Sequence, residues 1–329
     1  MTRFHIPSDS DRMQTPHRQL HAAPRPPLHR SRTRRVVSLG VSLALLFAAG
    51  AALTPDAADA AKKTTKKRRY RAPASGSQAA LVMDAQTGDI LYEKNGGQAR
   101  SIASLTKLMT AMVYLETEPD LEAKMKVEKI DLAGSGKTQL RRGEIVRVHD
   151  LLYHSLMSSD NAATKTLVRV SGLTEKEFLA RMNRKAAVLG LNATKFTEFT
   201  GLDAGNVSSA YDLANLLRFA LEYPEIGRIT SEPDYAYRSS RRHHQLVNSN
   251  RLARYGTKDV RGGKTGYIRA AGYCLATCVR ESGRELITVV LGSPSNPARF
   301  NETNIVLGKV TKELSNFDRV EDLEVVPGG

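Results

Sequence analysis

Short runs of β-prone residues occur near both ends of the region that shows regular hydrophobic patterning. Residues 79–84 and 89–94 flank a turn-like sequence that ends at Gly88, and this arrangement predicts a hairpin. Residues 272–280 and 284–292 form a second such pair near the C-terminal end. Because strands from the two ends of a domain can pair with one another, we expect these four segments to form one sheet.

Helical spacing fills the region between the two hairpins. Apolar residues recur every three to four positions over residues 105–115, which predicts a helix that Ser101 or Ser104 could cap. The sequence Thr174-Glu175-Lys176-Glu177 is a capping box and opens another predicted helix. The remaining predicted helices cover residues 151–157 and 162–170, the segment from Ser209 to Pro224, and residues 298–314. We therefore expect a helical lobe beside the sheet.

The composition fits a globular domain preceded by a basic segment. Of the 329 residues, 41% are hydrophobic and 25% are charged, which is enough for a sizeable core. The net charge is +15, and residues 1–75 alone carry +11 of it. Because the excess lies in this segment and aromatic residues make up only 6% of the chain, we do not expect nucleic-acid binding. One domain is predicted over residues 76–315, with a C-terminal tail over 316–329.

The N-terminal segment has the layout of an export signal. Three arginines within residues 32–35 precede an apolar run over 36–53, and the small residues Ala58-Asp59-Ala60 follow. A basic start, an apolar middle and a small-residue exit are typical of a secretory signal peptide. We therefore predict a disordered segment with a signal peptide or a retained anchor over residues 1–61, and a basic linker over 62–75.

The two cysteines, Cys274 and Cys278, lie four residues apart in a predicted strand. At about 3.3 Å per residue their Cα atoms would be roughly 13 Å apart, whereas a disulfide requires about 7 Å or less. We expect unbridged core residues. Because no histidine lies at ligand spacing, we expect no metal site here.

Ser104-Leu105-Thr106-Lys107 places a hydroxyl and an amine at the start of a predicted helix. One helical turn separates Ser104 from Lys107, so both side chains can leave the helix on the same face. A serine becomes a nucleophile when a neighbouring base takes its proton, and a buried lysine with a lowered pKa can be that base. Taken alone, the pair is better explained by a helix cap beside a solvated lysine.

Two further motifs follow in order along the chain. Ser159-Asp160-Asn161 falls between two predicted helices, where its side chains could face a cleft or cap the next helix. Lys264-Thr265-Gly266 precedes a predicted strand, and its glycine would allow a ligand to approach the backbone while the other two residues bind a carboxylate. Each motif alone fits an ordinary turn or cap, but the ordered set of three strongly indicates a serine acyl-transfer site.

This ordered set resembles that of penicillin-binding proteins and serine β-lactamases. The stretches that are similar to the S11 family of D-alanyl-D-alanine carboxypeptidases cover residues 103–110, 156–161, 200–203 and 264–267. The Met-Ser-Ser-x-Asn form and residues 270–275 favour the D,D-endopeptidase branch of that family. The resemblance implies an α/β (α+β) transpeptidase-like fold, with an antiparallel sheet flanked by helices and an all-helical lobe.

By matching positions, the resemblance also implies the roles of individual residues. Ser104 would be the acylated nucleophile and Lys107 its base. Ser159 would relay the proton to the leaving amine, and Asn161 would hold both substrate and Lys107. The implied substrate-binding residues are Lys264 and Thr265 at the terminal carboxylate, Gly266, Tyr267 with its N–H beside that of Ser104 in an oxyanion hole, and Arg299 as a further carboxylate contact. No metal and no cofactor are implied.

The function that the resemblance implies is a serine D-alanyl-D-alanine carboxypeptidase that acts on peptidoglycan stem peptides and is acylated by β-lactams. Such a protein would work in the periplasm or on the outer face of the cytoplasmic membrane of a bacterium, with the N-terminal segment as its membrane candidate. A D,D-endopeptidase that cleaves crosslinks is the alternative. A β-lactamase is less favoured because no E-x-x-x-N element lies between Asn161 and Lys264. A non-catalytic wall-binding protein is less favoured because all three motifs are intact.

Overall fold

The structure is a computed structural model that describes residues 76–324, with side chains described to residue 316. The strands are β1 (Ala79–Asp84), β2 (Ile90–Lys94), β3 (Arg100–Ser101), β4 (Lys124–Lys126), β5 (Ile145–Arg147), β6 (Val207–Ser208), β7 (Asp234–Arg238), β8 (His243–Val247), β9 (Asp259–Ile268), β10 (Gly272–Glu281) and β11 (Arg284–Ser293). The helices are α1 (Thr106–Leu115), α2 (Lys129–Leu132), α3 (Val148–Leu156), α4 (Asn161–Val170), α5 (Glu175–Val188), α6 (Ala210–Ala220), α7 (Pro224–Ser231), α8 (Arg251–Arg254) and α9 (Asn296–Glu324). The predicted signal or anchor segment and the basic linker lie outside the described residues, as do the last five residues of the predicted tail.

A five-stranded antiparallel sheet joins the two ends of the domain. Its strand order is β2-β1-β11-β10-β9. The N-terminal hairpin meets the C-terminal hairpin where β1 pairs with β11, in a register that sets Ala79 opposite Leu291. This pairing confirms the prediction that strands from both ends form one sheet. The edge strand β9 contacts the 3-10 turn that precedes α1, so one edge of the sheet reaches the start of a helix.

Alternating residues of β1 pack into two separate apolar cores. Leu81 and Met83 belong to the core shared with the helical lobe, whereas Ala80 and Val82 pack in the core that includes Leu307 of α9. Helices α6 and α9 therefore cover opposite faces of the sheet. Burying one leucine side chain completely contributes about 2 kcal/mol, so this double covering fixes the sheet firmly beside the helical lobe.

Local sequence signals located several elements correctly. The β1–β2 and β10–β11 hairpins form as predicted. Thr174 caps α5 within its capping box, and Ser209 caps α6 by accepting a hydrogen bond from the Asp212 N–H. Cys274 and Cys278 are free and buried in β10, as expected. Across residues 76–324, no helix combines the length and apolar character that a membrane span requires.

Two of the predicted motifs occupy different local structures from those expected. Lys264-Thr265-Gly266 lies inside β9 rather than before a strand. Neither Ser101 nor Ser104 caps α1, because Ser104 lies in the 3-10 turn Ala103–Leu105 and the helix begins at Thr106 without a side-chain cap.

Two other boundaries also differ from prediction. Pro224, the predicted end of a helix, instead begins α7, where the first helical position suits a residue without an N–H. The last helix continues to Glu324, so residues 316–324 of the predicted tail are helical. Neither glycine nor proline interrupts the sequence between Gly308 and Pro327, which is consistent with this extension.

Candidate active site

Ser104 lies in a tight turn at the edge of the sheet. The residue before it, Ala103, has a positive φ of 49°, which is uncommon for a residue with a Cβ. A Cβ added to Gly201 would lie 2.7 Å from the Ser104 nitrogen, and one added to Gly266 would lie 3.1 Å from it. The two glycines therefore let a loop and strand β9 pack directly against the backbone of the half-buried serine.

Lys107 brings its amine to the Ser104 hydroxyl from the first turn of α1. The side chain is fully buried, and Nζ lies 3.1 Å from Ser104 Oγ, 2.6 Å from Asn161 Oδ1 and 2.5 Å from the Thr200 carbonyl oxygen. A neutral amine has two hydrogens and one lone pair. Because two of the three neighbours can only accept these hydrogens, the lone pair is left for the serine hydroxyl.

The buried position of Lys107 also changes its protonation. Burial lowers the pKa of Lys107 to about 7, although the negative charges of Glu198 and Asp160 partly oppose this shift. Desolvation disfavours an ammonium ion because the low-dielectric interior cannot replace its hydration. Near neutral pH the amine can therefore exchange a proton, as a general base requires.

The Ser159-Asp160-Asn161 turn joins α3 to α4 and reaches the site through Asn161. The amide of Asn161 accepts from Lys107 and donates to the Ser135 carbonyl at 3.0 Å. Asp160 caps α4, because its side chain accepts hydrogen bonds from the backbone N–H groups of Ala162 at 2.8 Å and Ala163 at 3.2 Å. Ser159 is half-buried and has a φ of 63°, a left-handed conformation that residues other than glycine adopt mainly at constrained sites.

Strand β9 supplies the second wall of the site. Lys264 is buried, and burial, followed by the positive charges of Lys107 and Arg299, lowers its pKa well below the usual value. Its Nζ donates to the Thr265 carbonyl at 3.0 Å, and the Thr265 hydroxyl donates to Ser249 Oγ at 2.7 Å. Two buried amines therefore influence each other electrostatically here, which suits a site that accepts an anion.

Two predicted substrate contacts, Tyr267 of β9 and Arg299 of α9, lie near the C-terminal end of β9. Tyr267 is exposed and stacks on Tyr273, with ring centroids 4.2 Å apart. Arg299 is only 6% exposed, and its Nη1 donates to the carbonyl oxygens of Gly266 at 2.9 Å and Cys274 at 3.0 Å. In this structure Arg299 Nη1 thus binds the main chain of two neighbouring strands, and its role as a further carboxylate contact stays a prediction.

Some side chains and backbone groups of the site were not among the sequence predictions. The Thr200 carbonyl holds Lys107, the Ser135 carbonyl holds Asn161, and Ser249 binds Thr265. Two of these contacts use main-chain oxygen atoms, which every residue type possesses. Among these residues, only Thr200 falls in a stretch that resembles a family motif, residues 200–203. That resemblance did not indicate that the Thr200 carbonyl would contact Lys107.

Comparisons of the sequence with known proteins point to one family. A sequence model of the peptidase S11 family, described as D-alanyl-D-alanine carboxypeptidase, matches residues 65–295. A D-alanyl-D-alanine endopeptidase of Escherichia coli strain K12 is 35% identical over 268 residues, which cover 80% of this chain and 84% of that relative. The D-alanyl-D-alanine carboxypeptidase DacF of Bacillus subtilis strain 168 is 35% identical over 245 residues, which cover 72% of this chain but 61% of that relative.

Solved structures give the same result. The crystal structure of the Streptomyces K15 DD-transpeptidase has a TM-score of 0.70 and 28% identity, covering 74% of this chain and 100% of that one. Penicillin-binding protein D2 of Listeria monocytogenes in its cefotaxime-bound form has a TM-score of 0.65 and 29% identity, with coverage of 74% and 100%. These matches confirm the predicted fold and enzyme class. The chain belongs to the peptidase S11 family of serine-type D-alanyl-D-alanine carboxypeptidases.

Proposed function

We propose that this protein removes the terminal D-alanine from peptidoglycan stem peptides through an acyl-enzyme on Ser104. The observation that carries the proposal is the Lys107 amine, which is fully buried and 3.1 Å from the Ser104 hydroxyl. Membership of the S11 family supports the same chemistry. The residues around Ser104 and Lys107 have supporting roles in the same reaction.

Lys107 is the general base of acylation. In its neutral form it takes the Ser104 proton as Oγ attacks the carbonyl carbon of the penultimate D-alanine. Asn161 and the Thr200 carbonyl hold the amine in place during this transfer, because each lies within 2.6 Å of Nζ. The base therefore needs no reorganisation when the substrate arrives.

The developing oxyanion binds to the backbone N–H groups of Ser104 and Tyr267. The close packing of Gly266 on the Ser104 nitrogen supports this assignment, since it brings the two backbones together. Lys264 and Thr265 bind the terminal carboxylate of the substrate. A bound carboxylate favours the charged form of Lys264, so substrate binding opposes the lowering of its pKa by burial.

Ser159 passes the proton from Lys107 to the leaving D-alanine amine, so that the C–N bond breaks as a neutral amine departs. An ester of the shortened peptide remains on Ser104. Water then attacks this ester and gives one proton to the neutral Lys107 amine, which returns it to Ser104 Oγ as the C–O bond breaks. The other water proton is released when the new carboxylic acid of the peptide ionises. A β-lactam would acylate the same Ser104 but would keep its leaving group tethered, so its adduct should last longer.

The substrate implies a place of action outside the cytoplasmic membrane. Peptidoglycan stem peptides are exposed on that side, and the predicted signal peptide or anchor is consistent with export. Membrane association through the N-terminal segment is the finer part of this proposal. Retention of the full-length protein in salt-washed membranes tests it, and complete release into the soluble fraction would contradict an anchor.

Cleavage of D,D crosslinks is the second candidate function. It is favoured by one observation: this chain covers 84% and 83% of two relatives described as D-alanyl-D-alanine endopeptidases, but 61% and 62% of two described as carboxypeptidases. The two reactions use the same acyl-enzyme and differ in the amine that leaves. The site geometry is therefore compatible with both.

Digestion of purified muropeptides separates these functions. Monomers that lose one alanine indicate carboxypeptidase activity, whereas dimers that become monomers indicate endopeptidase activity. Ser104→Ala should abolish either activity, while Ser171→Ala, at the end of α4, should keep it. Rapid hydrolysis of a chromogenic cephalosporin without any peptide cleavage would indicate a β-lactamase and would contradict the proposal.

A further inference from the structure

The carboxylate of Glu198 organises a turn directly behind the active site. Its Oε2 accepts hydrogen bonds from the Thr200 N–H at 2.5 Å and the Thr200 hydroxyl at 2.6 Å. Its Oε1 accepts from the N–H groups of Gly201 and Leu202, the latter at 3.0 Å. One carboxylate therefore satisfies four donors from the residues that follow it, which closes the turn.

Asn206 ties this turn to the start of α1. Its amide nitrogen lies within hydrogen-bond distance of Glu198 Oε1 at 2.7 Å and of Thr106 Oγ1 at 3.1 Å. The Asn206 carbonyl accepts from the Ile102 N–H at 3.1 Å, immediately before the turn that holds the nucleophile. Asn206 is fully buried, so these contacts are shielded from water.

The turn presents two groups to the catalytic pair. The Thr200 carbonyl accepts from the Lys107 amine at 2.5 Å. Gly201 has a φ of +87°, and a Cβ there would lie 2.2 Å from the Ala103 carbonyl oxygen. A shift of this turn would therefore displace both the base and the backbone of the nucleophile.

Charge adds to these contacts. The negative charge of Glu198 raises the pKa of Lys107, against the larger effect of burial. Asp160 acts in the same direction, whereas burial and the positive charges of Lys107 and Arg299 lower the pKa of Lys264 on the opposite wall. In the described part of the chain, Glu198 and Asp160 are therefore the two carboxylates whose charge acts on the Lys107 amine.

Glu198 is poorly placed to activate water itself. Its two oxygens already have five neighbouring donors, counting Asn206, whereas a carboxylate offers about four lone-pair sites. A general base needs a free lone pair directed at the reacting water. The structure therefore separates this glutamate from the deacylating glutamate of a class A β-lactamase.

We propose that Glu198 is a positioning residue of the acylation step, which fixes the Thr200 carbonyl against the Lys107 amine and directs its negative charge towards that amine. This inference rests on the proposed function, because it concerns the acylation of Ser104. Its two components, hydrogen bonding and charge, can be separated by two substitutions. Glu198→Gln removes the charge, and Glu198→Asp keeps the charge but shortens the side chain.

The test is the acylation rate of the full-length protein with a fluorescent penicillin, measured by stopped flow as a function of pH. Glu198→Gln should acylate at least about 10-fold more slowly at its optimum, because buried N–H groups lose their acceptor. The acid limb of its pH–rate profile, over which the rate rises with pH, should move to lower pH, because removing a negative charge lowers the pKa of Lys107. Glu198→Asp should also be slower but should keep the acid limb of the parent protein.

Glu177→Gln is the matched control. Glu177 also accepts hydrogen bonds from the Thr174 N–H at 2.9 Å and hydroxyl at 2.7 Å, but within the capping box of α5. This variant should keep both the rate and the acid limb. Loss of rate in Glu198→Gln that only matches a loss of folded protein, measured by thermal unfolding, would overturn the proposal.

Parental rate and an unshifted limb in Glu198→Gln would also overturn it. Should this variant fail to fold, parental acylation by Glu198→Asp would overturn the positioning role. Failure of the proposed function is a distinct result, because the parent protein itself would then form no adduct on Ser104.

Discussion

Acylation of Ser104 should slow steeply as the pH falls below about 7. Burial lowers the pKa of Lys107 from 10.5 to about 7. With that pKa, about half of the molecules hold a neutral amine at pH 7, roughly one in ten at pH 6 and roughly one in a hundred at pH 5. A lysine with an ordinary pKa would be neutral in only about one molecule in 3000 at pH 7. Because only the neutral amine accepts the serine proton, the rate should follow these fractions.

Other charged groups contribute to this titration. Glu198 and Asp160 raise the pKa of Lys107, and its own charge helps to lower the pKa of Lys264. The acid limb is therefore a property of the coupled amines Lys107 and Lys264, and its midpoint reports the site as a whole. The direction is unambiguous: acylation rises as the pH increases through about 7.

Stopped-flow labelling with a fluorescent penicillin between about pH 5 and pH 9 measures the limb. Lys107→Arg keeps a positive charge and hydrogen-bond donors but cannot deprotonate, so acylation at pH 7 should fall about 1000-fold. Lys165→Arg is the matched control, because the Lys165 amine also donates to a main-chain oxygen, that of Ala133, at 2.5 Å. A rate that stays constant from pH 5 to pH 8, or parental acylation by Lys107→Arg, would show that Lys107 is not the general base.

Three further predictions follow from the same structure. Asn161→Ala removes an acceptor of the Lys107 amine, so penicillin labelling should slow about 10-fold or more while thermal unfolding changes little. Gly201→Ala would place a Cβ 2.2 Å from the Ala103 carbonyl oxygen, at a φ of +87°. This variant should therefore lose about 2 kcal/mol or more of unfolding free energy and most of its acylation. Gly190→Ala, at a φ of +69° in open space, should cost about 1 kcal/mol and keep acylation. Burial lowers the pKa of His244 below 6.5, so as the pH falls the unfolded chain takes up the His244 proton before the folded protein does. The free energy of unfolding should therefore decrease as the pH drops below about 6.5, and His244→Gln should remove this pH dependence from thermal unfolding.

Local signals in the sequence were sufficient for elements that form from their own residues. Five of residues 79–84 are apolar, and all six residues are buried in a strand. The capping box at Thr174 opens a helix because both of its hydrogen bonds are made within the first turn. The catalytic motifs were found for a different reason, since three short patterns in a fixed order are specific even where their local structure is not.

Tertiary contacts stabilise the strands that the local sequence does not predict. The segment Asp-Val-Arg-Gly-Gly-Lys-Thr-Gly-Tyr-Ile of β9 is polar and rich in glycine, so it has little intrinsic preference for a strand. It becomes one because it pairs along its length with β10. The β7–β8 hairpin likewise depends on partners distant in sequence, since Ser239 and His244 both bind the buried carboxylate of Glu144.

The placement of Arg299 shows a related limit. The resemblance implies that it binds a carboxylate, and the structure adds a contact that the sequence does not show, because its buried Nη1 donates to carbonyl oxygens of β9 and β10. A residue type suggests which groups it can bind, whereas burial and backbone geometry decide which of them it meets. The same holds for the Thr200 carbonyl, whose contact with Lys107 depends on the turn around Glu198.

Peptide mapping of the penicillin adduct identifies the nucleophile of this protein. The full-length protein is labelled with penicillin, digested and analysed by mass spectrometry. We expect one penicilloyl group on the peptide that contains Ser104, and no adduct in Ser104→Ala. An adduct on another residue, or one that persists in Ser104→Ala, would contradict the assignment of Ser104 as the nucleophile.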